Sequence, residues 1–298
     1  RGELDPQRLL AEAGGRQPAP REPERHSGLL ALRRGETCAV FRAGPHGPDY
    51  QLGHAHGDLL SFEVSHGAAR IVTDTGTGAY DAGPVRARIR STRAHNTLAV
   101  DEQEQLEAWG SFRVGRRGRA RVLRWGSDAH CSWIWAAHDA YRRLPGRPVH
   151  HRLLAVADAW VLVLDAVLGA GRHRVASHVH LHPRLPSGTA RVVPLGAACG
   201  RRAVPLYERF GETQEMAELF VEAGPELPWA GGWLIQLAPA GGEPAVLAFD
   251  GRTATARYGS REGPLRARWT PLDPADPCPF ELRLCGPVPD SASEARLC

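Results

Sequence analysis

The sequence has no lysine, and all 37 of its basic residues are arginine. It also has no apolar run that approaches twenty residues and no charged segment followed by an apolar leader at its start. A transmembrane helix and a secretory signal are therefore not predicted from these residues, and we expect a soluble chain with no membrane contact. Because the sequence begins at Arg1 without an initiator methionine, we expect it to be part of a longer protein.

The six cysteines include no Cys-x-x-Cys pair, so a zinc knuckle built from thiolates is not expected. Cys278 and Cys285 flank the short segment PFELRL and could form a disulfide if that segment folds back. Unpaired buried thiols are the simpler interpretation.

The net charge is only +4, and arginine is interleaved with aspartate and glutamate. No basic helix or aromatic RNA-binding strand stands out, so a nucleic-acid partner is not expected. The planar fork of arginine pairs with carboxylate and sulfate oxygens, and an acidic substrate is therefore compatible with this composition. Biased codon usage is the simpler explanation for the lack of lysine.

Glycine (33 residues) and proline (24 residues) are abundant, which favours turns and short strands over long helices. Many short runs alternate apolar and polar residues between Gly, Pro, Asn or Asp. This pattern predicts an all-β fold, a large antiparallel sandwich of two sheets, over residues 28–298. Residues 1–27 differ, because they combine a possible helix end with a polar, proline-rich connector.

The segment around GHAHGD contains the most informative histidines. Alternate residues of an extended chain share one face, so His54, His56 and Asp58 are expected to point the same way. Asp74 follows a second predicted strand, just before a glycine-rich turn, and His95 begins a third. Two imidazoles and a carboxylate from neighbouring strands suit zinc with an open coordination position.

Simpler interpretations exist for each of these residues. A single histidine on a strand is more often hydrogen-bonded than bound to metal, while Asp74 and Asn96 could simply form turns. His178, His180 and His182 share one face of another strand. The outer pair lies about 13 Å apart, which is too far for one ion, so we expect a row that faces solvent or substrate.

Three segments, GLLALRRGETCAVFRAGPHG, GHAHGDLLSFEVSHGAARIVTDTGTGAY and RSTRAHNTLAVDEQEQ, together resemble the heparinase II/III-like family. This family includes heparin, heparan and alginate lyases, and dermatan-type epimerases share its fold. The resemblance is dense over residues 28–105 and continues more loosely to about residue 185.

The resemblance implies that His56, Asp74 and His95 bind a divalent metal, usually zinc. It also implies that His54 is the active-site histidine facing the uronate. An imidazole suits acid–base work or charge neutralisation because it titrates near neutral pH.

Tyr80 and Arg93 lie where they could line the substrate cleft. Packing and loop pinning are the alternative interpretation, although exposed Tyr and Arg are enriched at binding surfaces.

Family members have a preceding helical toroid domain that supplies a catalytic tyrosine and an asparagine or histidine for the substrate carboxylate. We expect this missing N-terminal domain to be a partner of the chain, with residues 1–27 as its possible last helix and linker. The 298 residues then hold about half of the site, and alone they should be inactive or nearly so. The resemblance further implies a periplasmic or secreted bacterial protein.

The leading functional hypothesis is a polysaccharide lyase acting on an acidic, uronic-acid-containing polysaccharide by β-elimination. A uronate epimerase shares the fold and is one alternative. The other is a non-catalytic carbohydrate-binding module in polysaccharide biosynthesis or export, which would keep the metal for stability.

Overall fold

The computed structural model describes residues 28–127, 131–237, 246–260, 263–271 and 280–284. Regular structure in these residues is almost entirely β-strand, which confirms the predicted all-β fold. The predicted connector over residues 1–27 lies outside the described residues, as do Cys278 and Cys285. Cys38 and Cys199 carry free thiols.

The strands in chain order are β1 (Leu29–Arg34), β2 (Thr37–Arg42), β3 (Phe62–His66), β4 (Ala69–Val72), β5 (Leu98–Val100), β6 (Leu106–Trp109), β7 (Arg113–Arg117), β8 (Ala120–Ser127), β9 (Ser132–His138), β10 (Val149–Val156), β11 (Trp160–Leu168), β12 (Val175–Leu181), β13 (Ala190–Leu195), β14 (Cys199–Leu206), β15 (Gln214–Ala223), β16 (Trp229–Leu237), β17 (Val246–Phe249), β18 (Ala254–Ser260), β19 (Gly263–Trp269) and β20 (Phe280–Leu284). A short helix α1 (Pro84–Arg90) and a 3₁₀-helix (Thr92–Ala94) lie between β4 and β5.

The strands form three main antiparallel sheets and one hairpin. The eight-stranded sheet has the order β1-β2-β3-β4-β12-β15-β14, and β5 also pairs with β12. The six-stranded sheet has the order β13-β16-β11-β10-β9-β8, and the four-stranded sheet runs β17-β18-β19-β20. Strands β6 and β7 pair only with each other.

The six-stranded sheet is the middle layer, because its two faces contribute to two different hydrophobic cores. On β10, Leu154 and Val156 join the core shared with the eight-stranded sheet. Leu153 and Ala155 join the core shared with Trp269 of the four-stranded sheet. Each fully buried large apolar side chain contributes about 1.5–3 kcal/mol. The predicted two-sheet sandwich is thus present, and a third sheet covers its outer face.

Several elements were not predicted from the sequence: α1 and the strands β6, β7, β8, β14, β15 and β19. In β7 and β14, exposed side chains and several arginines and glycines obscure the apolar alternation. Helix α1 has only seven residues, too few to show a helical period. Among the described residues, no helix is long and apolar enough to cross a membrane.

A buried ion pair connects the middle of the sandwich to the segments that carry the histidine motifs. Arg152 on β10 is bound through two nitrogens to Asp165 on β11, at 2.6 and 2.9 Å, and His150 Nε2 donates to the same carboxylate at 2.8 Å. Arg152 Nη1 donates in addition to the carbonyl oxygens of Leu60 and Asn96, both at 2.7 Å. One buried guanidinium therefore fixes the end of the His56 loop and the turn after His95.

Candidate functional site

His54, His56 and Asp58 lie on the loop that precedes β3 and not in a regular strand. The expected alternation is nevertheless visible in burial: Ala55 and Gly57 are buried, while the three polar side chains between and beside them are more exposed. The motif therefore presents its polar side chains in the predicted pattern without belonging to a sheet.

The loop is not paired with a strand. Its backbone N–H groups donate instead to a carbonyl outside the sheets and to a side-chain oxygen. Gly57 N donates to the carbonyl of Arg90 at 2.9 Å, and Leu59 N donates to Gln105 Oε1 at 2.8 Å. A Cβ atom on Gly57 would lie 2.8 Å from Thr92 Oγ1. Glycine at this position thus lets the loop approach the 3₁₀-helix that precedes His95.

Asp58 anchors the loop to the edge of β2. Its Oδ2 lies 2.7 Å from Arg42 Nε, and its Oδ1 lies 3.7 Å from His46 Nδ1. Burial favours a raised pKa for Asp58, but the neighbouring His46 and the positive charge of Arg42 outweigh it and lower the pKa to about 2. Asp58 is therefore an ionised structural anchor in this arrangement.

The partly exposed Asp74 and the buried His95 form a hydrogen-bonded pair. His95 Nδ1 donates to Asp74 Oδ2 at 2.6 Å, and Gly76 N donates to Asp74 Oδ1 at 2.9 Å. Gly76 has φ of +78°, and a Cβ there would lie 2.3 Å from the carbonyl oxygen of Tyr207. The D-x-G-T element thus needs its glycine so that the turn after β4 can aim the carboxylate at His95.

His56 lies beside this pair, with its ring centroid 5.3 Å from that of His95. Burial and the neighbouring His95 lower the pKa of His56 to about 3, so its imidazole is neutral at pH 7, as a metal ligand must be. Burial alone would lower the pKa of His95, but the charge and hydrogen bond of Asp74 outweigh burial and raise it. His95 Nε2 is buried without a hydrogen-bond partner.

The three residues fit a zinc site in the kind of donors they bring together, namely two imidazoles and a carboxylate. Their present arrangement is that of a hydrogen-bonded pair: Asp74 Oδ2 and His95 Nδ1 are 2.6 Å apart, whereas two ligand atoms on one tetrahedral zinc ion lie about 3.3 Å apart. In the part of the chain that the structure describes, no three His, Cys, Asp or Glu side chains already form a metal-binding group. The ligand set therefore stays a prediction.

Asn96 fixes the position of His95 from the adjacent residue. Its Nδ2 donates to the carbonyl oxygens of Phe62 at 2.9 Å and Thr73 at 3.0 Å, and its Oδ1 accepts from His180 N at 2.7 Å. Because these partners lie at the start of β3, just after β4 and on β12, the buried amide joins three segments of the eight-stranded sheet. Asn96 is a buried connector and not a surface turn former.

Helix α1 holds the backbone on both sides of His54. Arg86 and Arg90 are four residues apart and so share one face of the helix, and both are buried. Arg86 Nη2 donates to the carbonyl of Gly53 at 2.9 Å, and Arg90 Nε donates to the carbonyl of Ala55 at 3.0 Å. The peptide groups that flank His54 are thereby fixed while its ring stays exposed.

The same two arginines also hold the turn between β6 and β7. Arg86 Nε donates to the carbonyl of Ser111 at 3.0 Å, and Arg90 Nη1 donates to the same oxygen at 3.2 Å. Phe112 follows Ser111 directly. We call Arg86 and Arg90 together the arginine clamp; it fixes the His54 loop and the Phe112 turn relative to one another.

The ring of His54 lies among aromatic side chains. Its centroid is 5.7 Å from that of Tyr80 and 6.1 Å from that of Phe112, both with edge-on geometry. Tyr80 in turn stacks against Phe210, with centroids 5.5 Å apart. The structure therefore brings together His54 and Tyr80, which the sequence had suggested as neighbours, and adds two phenylalanines.

Arg93 lies in a different setting. Its side chain is exposed and lines a cleft of about 150 Å³ with His178 and Arg202. The arginine that contacts Tyr80 is Arg86, whose guanidinium carbon is 5.3 Å from the ring centroid. Arg93 remains a candidate for binding an anionic group in this cleft.

The histidine row on β12 is buried, so the expectation that it faces solvent is wrong. His178 Nδ1 donates to Glu218 Oε1 at 2.6 Å, and His180 Nδ1 lies 2.9 Å from Asn96 Oδ1, while His182 is also buried. Strand β12 lies inside the eight-stranded sheet between β4 and β15, where an imidazole needs a polar partner.

Residues 16–241 match the family model described as heparinase II/III-like, C-terminal. The chain belongs to this family. The match includes every residue of the histidine motifs and extends beyond residue 185, where the resemblance seen in the sequence fades. A comparison with curated protein sequences gives no match.

Solved structures confirm the family fold. A mutant heparan sulfate lyase from Pedobacter heparinus aligns with a TM-score of 0.66 and 15% identity, covering 88% of this chain and 45% of the lyase. A heparinase III gene product gives a TM-score of 0.66 and 15% identity over 88% and 44% of the two chains. A second heparinase III structure gives 0.64 and 13% over 82% and 42%. The chain thus spans less than half the length of these structures.

Four residues that contact the His54 loop or Tyr80 were not predicted from the sequence: Arg86, Arg90, Phe112 and Phe210. The two arginines carried a readable signal, since PVRARIR places them four residues apart beside an apolar Ile. The two phenylalanines stand alone in polar turns, and only the folded chain brings them to Tyr80.

Proposed function

We propose that this domain forms one side of the active site of a polysaccharide lyase that cleaves a uronic-acid-containing polymer, of the glycosaminoglycan or alginate type, by β-elimination. The observation that carries the proposal is the setting of His54. Its imidazole is exposed, its backbone is fixed by the arginine clamp, and its motif continues to His56, whose ring lies beside the buried His95.

The chemistry of the substrate defines what the site must do. β-Elimination removes the proton on the carbon next to the uronate carboxylate and expels the sugar oxygen at C4. That proton is acidic enough only if hydrogen bonds or positive charge neutralise the carboxylate. A base must also take the proton, and an acid must reach the leaving oxygen.

His54 supplies an imidazole for one of these tasks, either as a hydrogen-bond donor to the carboxylate or in proton transfer. The hydroxyl of Tyr80 lies on a ring in contact with His54 and is the first candidate within this chain for a second proton-transfer group. Both groups need a fixed geometry, because misplacing a reacting group by about 1 Å costs on the order of a hundredfold in rate.

His56, Asp74 and His95 would hold a divalent ion such as Zn²⁺. These residues come from the loop before β3, the turn after β4 and the segment before β5. The ion would cross-link the three segments. It would also order the loop that carries His54, because the interactions around a metal site fix the orientation of neighbouring side chains.

The remaining catalytic groups belong, in this proposal, to a helical domain that precedes residue 28 in the complete protein. The family match and the length of the solved heparinases support this arrangement, because the chain corresponds to 41–45% of their lengths. The same comparison supports a periplasmic or secreted location as part of this proposal, since acidic polysaccharides of this kind lie outside the cytoplasm.

The test is an assay of the protein with all domains that its gene encodes, on heparan sulfate, hyaluronan and alginate. We expect an unsaturated product that absorbs in the ultraviolet. His54→Ala should lower turnover by about a hundredfold or more, the effect of losing an acid–base group. His66→Ala, which removes a half-buried histidine on β3, is the matched control and should leave turnover nearly unchanged.

Other outcomes separate the alternatives. Polymer binding without any unsaturated product would favour a non-catalytic carbohydrate-binding module. Inversion at C5 of the uronate without chain cleavage would identify an epimerase. Equal loss of turnover in His54→Ala and His66→Ala would remove the assigned role of His54.

A further inference from the structure

Three exposed aromatic side chains form a row beside His54. Tyr80 lies between Phe112 and Phe210, with centroid distances of 6.3 and 5.5 Å and interplanar angles of 21° and 23°. The relative exposures of Tyr80, Phe112 and Phe210 are 41%, 51% and 64%. We call these three residues the aromatic row.

The rings of the row are nearly parallel but displaced sideways. Rings in direct face-to-face contact have planes about 3.5 Å apart, so centroid distances of 5.5–6.3 Å require a lateral offset of several ångströms. Each ring therefore leaves part of its face uncovered by its neighbour. The row comes from three separate turns of the chain, which makes it a product of the fold and not of one exposed segment.

One side of the row is supported by a buried positive charge. The guanidinium carbon of Arg86 lies 5.3 Å from the centroid of Tyr80 and 5.6 Å from that of Phe112, and Arg86 is only 1% exposed. Its Nη1 is buried without a hydrogen-bond partner. Because Arg86 is buried and the three rings are exposed, the charge lies on the protein side of the row.

Aromatic faces suit the C–H-rich face of a pyranose ring, because the ring face is electron-rich and the sugar C–H bonds are weakly positive. The buried positive charge of Arg86 beneath the row favours an acidic sugar over a neutral one. Tyr80 and Phe112 both lie beside His54, where the scissile uronate lies in the proposed function. A neighbouring sugar of the same polymer chain would therefore reach the rings.

We infer that the aromatic row is a binding subsite for a sugar next to the one that is cleaved, and that it accepts acidic polysaccharide by stacking. This inference rests on the proposed function. It assigns Phe112 and Phe210 to substrate binding, with Arg86 as a positioning residue that supports their turn and the His54 loop.

The test compares Phe112→Ala and Phe210→Ala with the control Trp125→Ala, which removes a partly exposed aromatic side chain on β8 outside the row. On the lyase substrate found among heparan sulfate, hyaluronan and alginate, each row variant should raise KM by about tenfold. In Phe210→Ala, kcat should stay nearly unchanged, because Phe210 packs against Tyr80 and contributes uniform binding. Phe112 also packs against His54, so the comparison of kcat uses Phe210→Ala. Phe210→Trp, which keeps an aromatic ring at this position, should have a KM close to that of the unmodified protein. The effect should appear with hexasaccharides and be absent with the shortest cleavable oligosaccharide.

The possible results are distinct. If the enzyme cleaves its polymer but the row variants keep wild-type KM at every length, the subsite is refuted and the proposed lyase function stands. If the row variants loosen the preceding helical domain, seen as faster proteolysis between the domains with KM unchanged, the row is a domain-docking surface and the inference is overturned. If the wild-type protein cleaves no polymer of the panel but binds hexasaccharides through Phe210, the subsite stands without the lyase function.

Discussion

The residues predicted to bind metal differ in how far their polar atoms are already paired. The pair of Asp74 and His95 is satisfied by its own hydrogen bond, whereas His95 Nε2 lacks a partner and His56 stays neutral. A buried polar atom without a partner costs about 1–3 kcal/mol, so this group gains stability from a ligand.

The metal prediction follows from that imbalance. We expect the purified chain to carry about one zinc-like ion per molecule, and chelation should lower its Tm because the ion binds only the native state. Elemental analysis and thermal unfolding with and without chelator measure both quantities. His95→Ala should abolish the bound ion.

His54→Ala serves as the control for the metal site, because the resemblance places His54 outside the ligand set. Its metal content should equal that of the unmodified chain. A chain that is metal-free when purified, and whose Tm does not change on adding zinc, would contradict the ligand assignment. Loss of the ion in His54→Ala would show that the roles of His54 and His56 are exchanged.

At the scale of elements, α1 is a small helix whose main contribution is its two buried arginines. Seven residues are too few for a helix to be stable on its own, so packing must hold it in place. The arginine clamp donates to carbonyls on the His54 loop and in the β6–β7 turn, and thus couples two elements that have no strand pairing with each other.

Replacing one member of the clamp should therefore affect both stability and the site. In Arg86→Lys, a single ammonium group cannot reproduce the two hydrogen bonds that the guanidinium donates to Gly53 and Ser111, so at least one of these bonds is lost. We expect the free energy of unfolding to fall by about 1–3 kcal/mol. Chemical denaturation measures this change.

Arg88→Lys provides the control on the same helix, because a residue two positions along lies on the opposite side. Its stability and activity should stay close to those of the unmodified protein. If Arg86→Lys and Arg88→Lys behave alike in denaturation, the clamp does not hold the two elements as described.

At the scale of the whole molecule, the loops around the eight-stranded sheet carry His54, Tyr80 and the predicted metal ligands, while the β6–β7 hairpin adds Phe112. The six-stranded sheet supports these loops from below. The buried ion pair of Arg152 and Asp165 joins the six-stranded sheet to the site, because Arg152 donates hydrogen bonds to the carbonyl oxygens of Leu60 and Asn96. The site thus rests on a rigid base but has an open upper side at the exposed His54.

We expect residues 1–298 alone to bind polysaccharide weakly and to form no unsaturated product. Adding a helical N-terminal domain on the same chain should restore cleavage, because catalysis needs groups held in register across the domain boundary. The ultraviolet assay on both proteins measures the difference. Robust cleavage by the 298 residues alone would refute the divided site and make Tyr80 the first candidate for the base.

Much of the architecture could be predicted from the sequence, because a strand with one buried face has alternating apolar and polar residues. The strands β1 to β5 and β9 to β12 were identified in this way, and D-x-G-T identified the turn after β4. Edge and arginine-rich strands such as β7 and β14 were missed, since an exposed strand has no need of apolar alternation. The HAHGD loop showed the converse, an alternating pattern without a sheet.

Short sequence patterns were enough to predict the family and the all-β fold. The order of the histidine and aspartate motifs could also be taken directly from the sequence, because each motif spans only a few residues. Only the tertiary structure decided that Asp74 binds His95, that Asn96 is buried, and that Arg86 and Arg90 hold His54 in place. It also decided that Phe112 and Phe210 flank Tyr80. Such contacts join turns that are distant along the chain, and their geometry is fixed by the packing of whole sheets, which local sequence patterns do not encode.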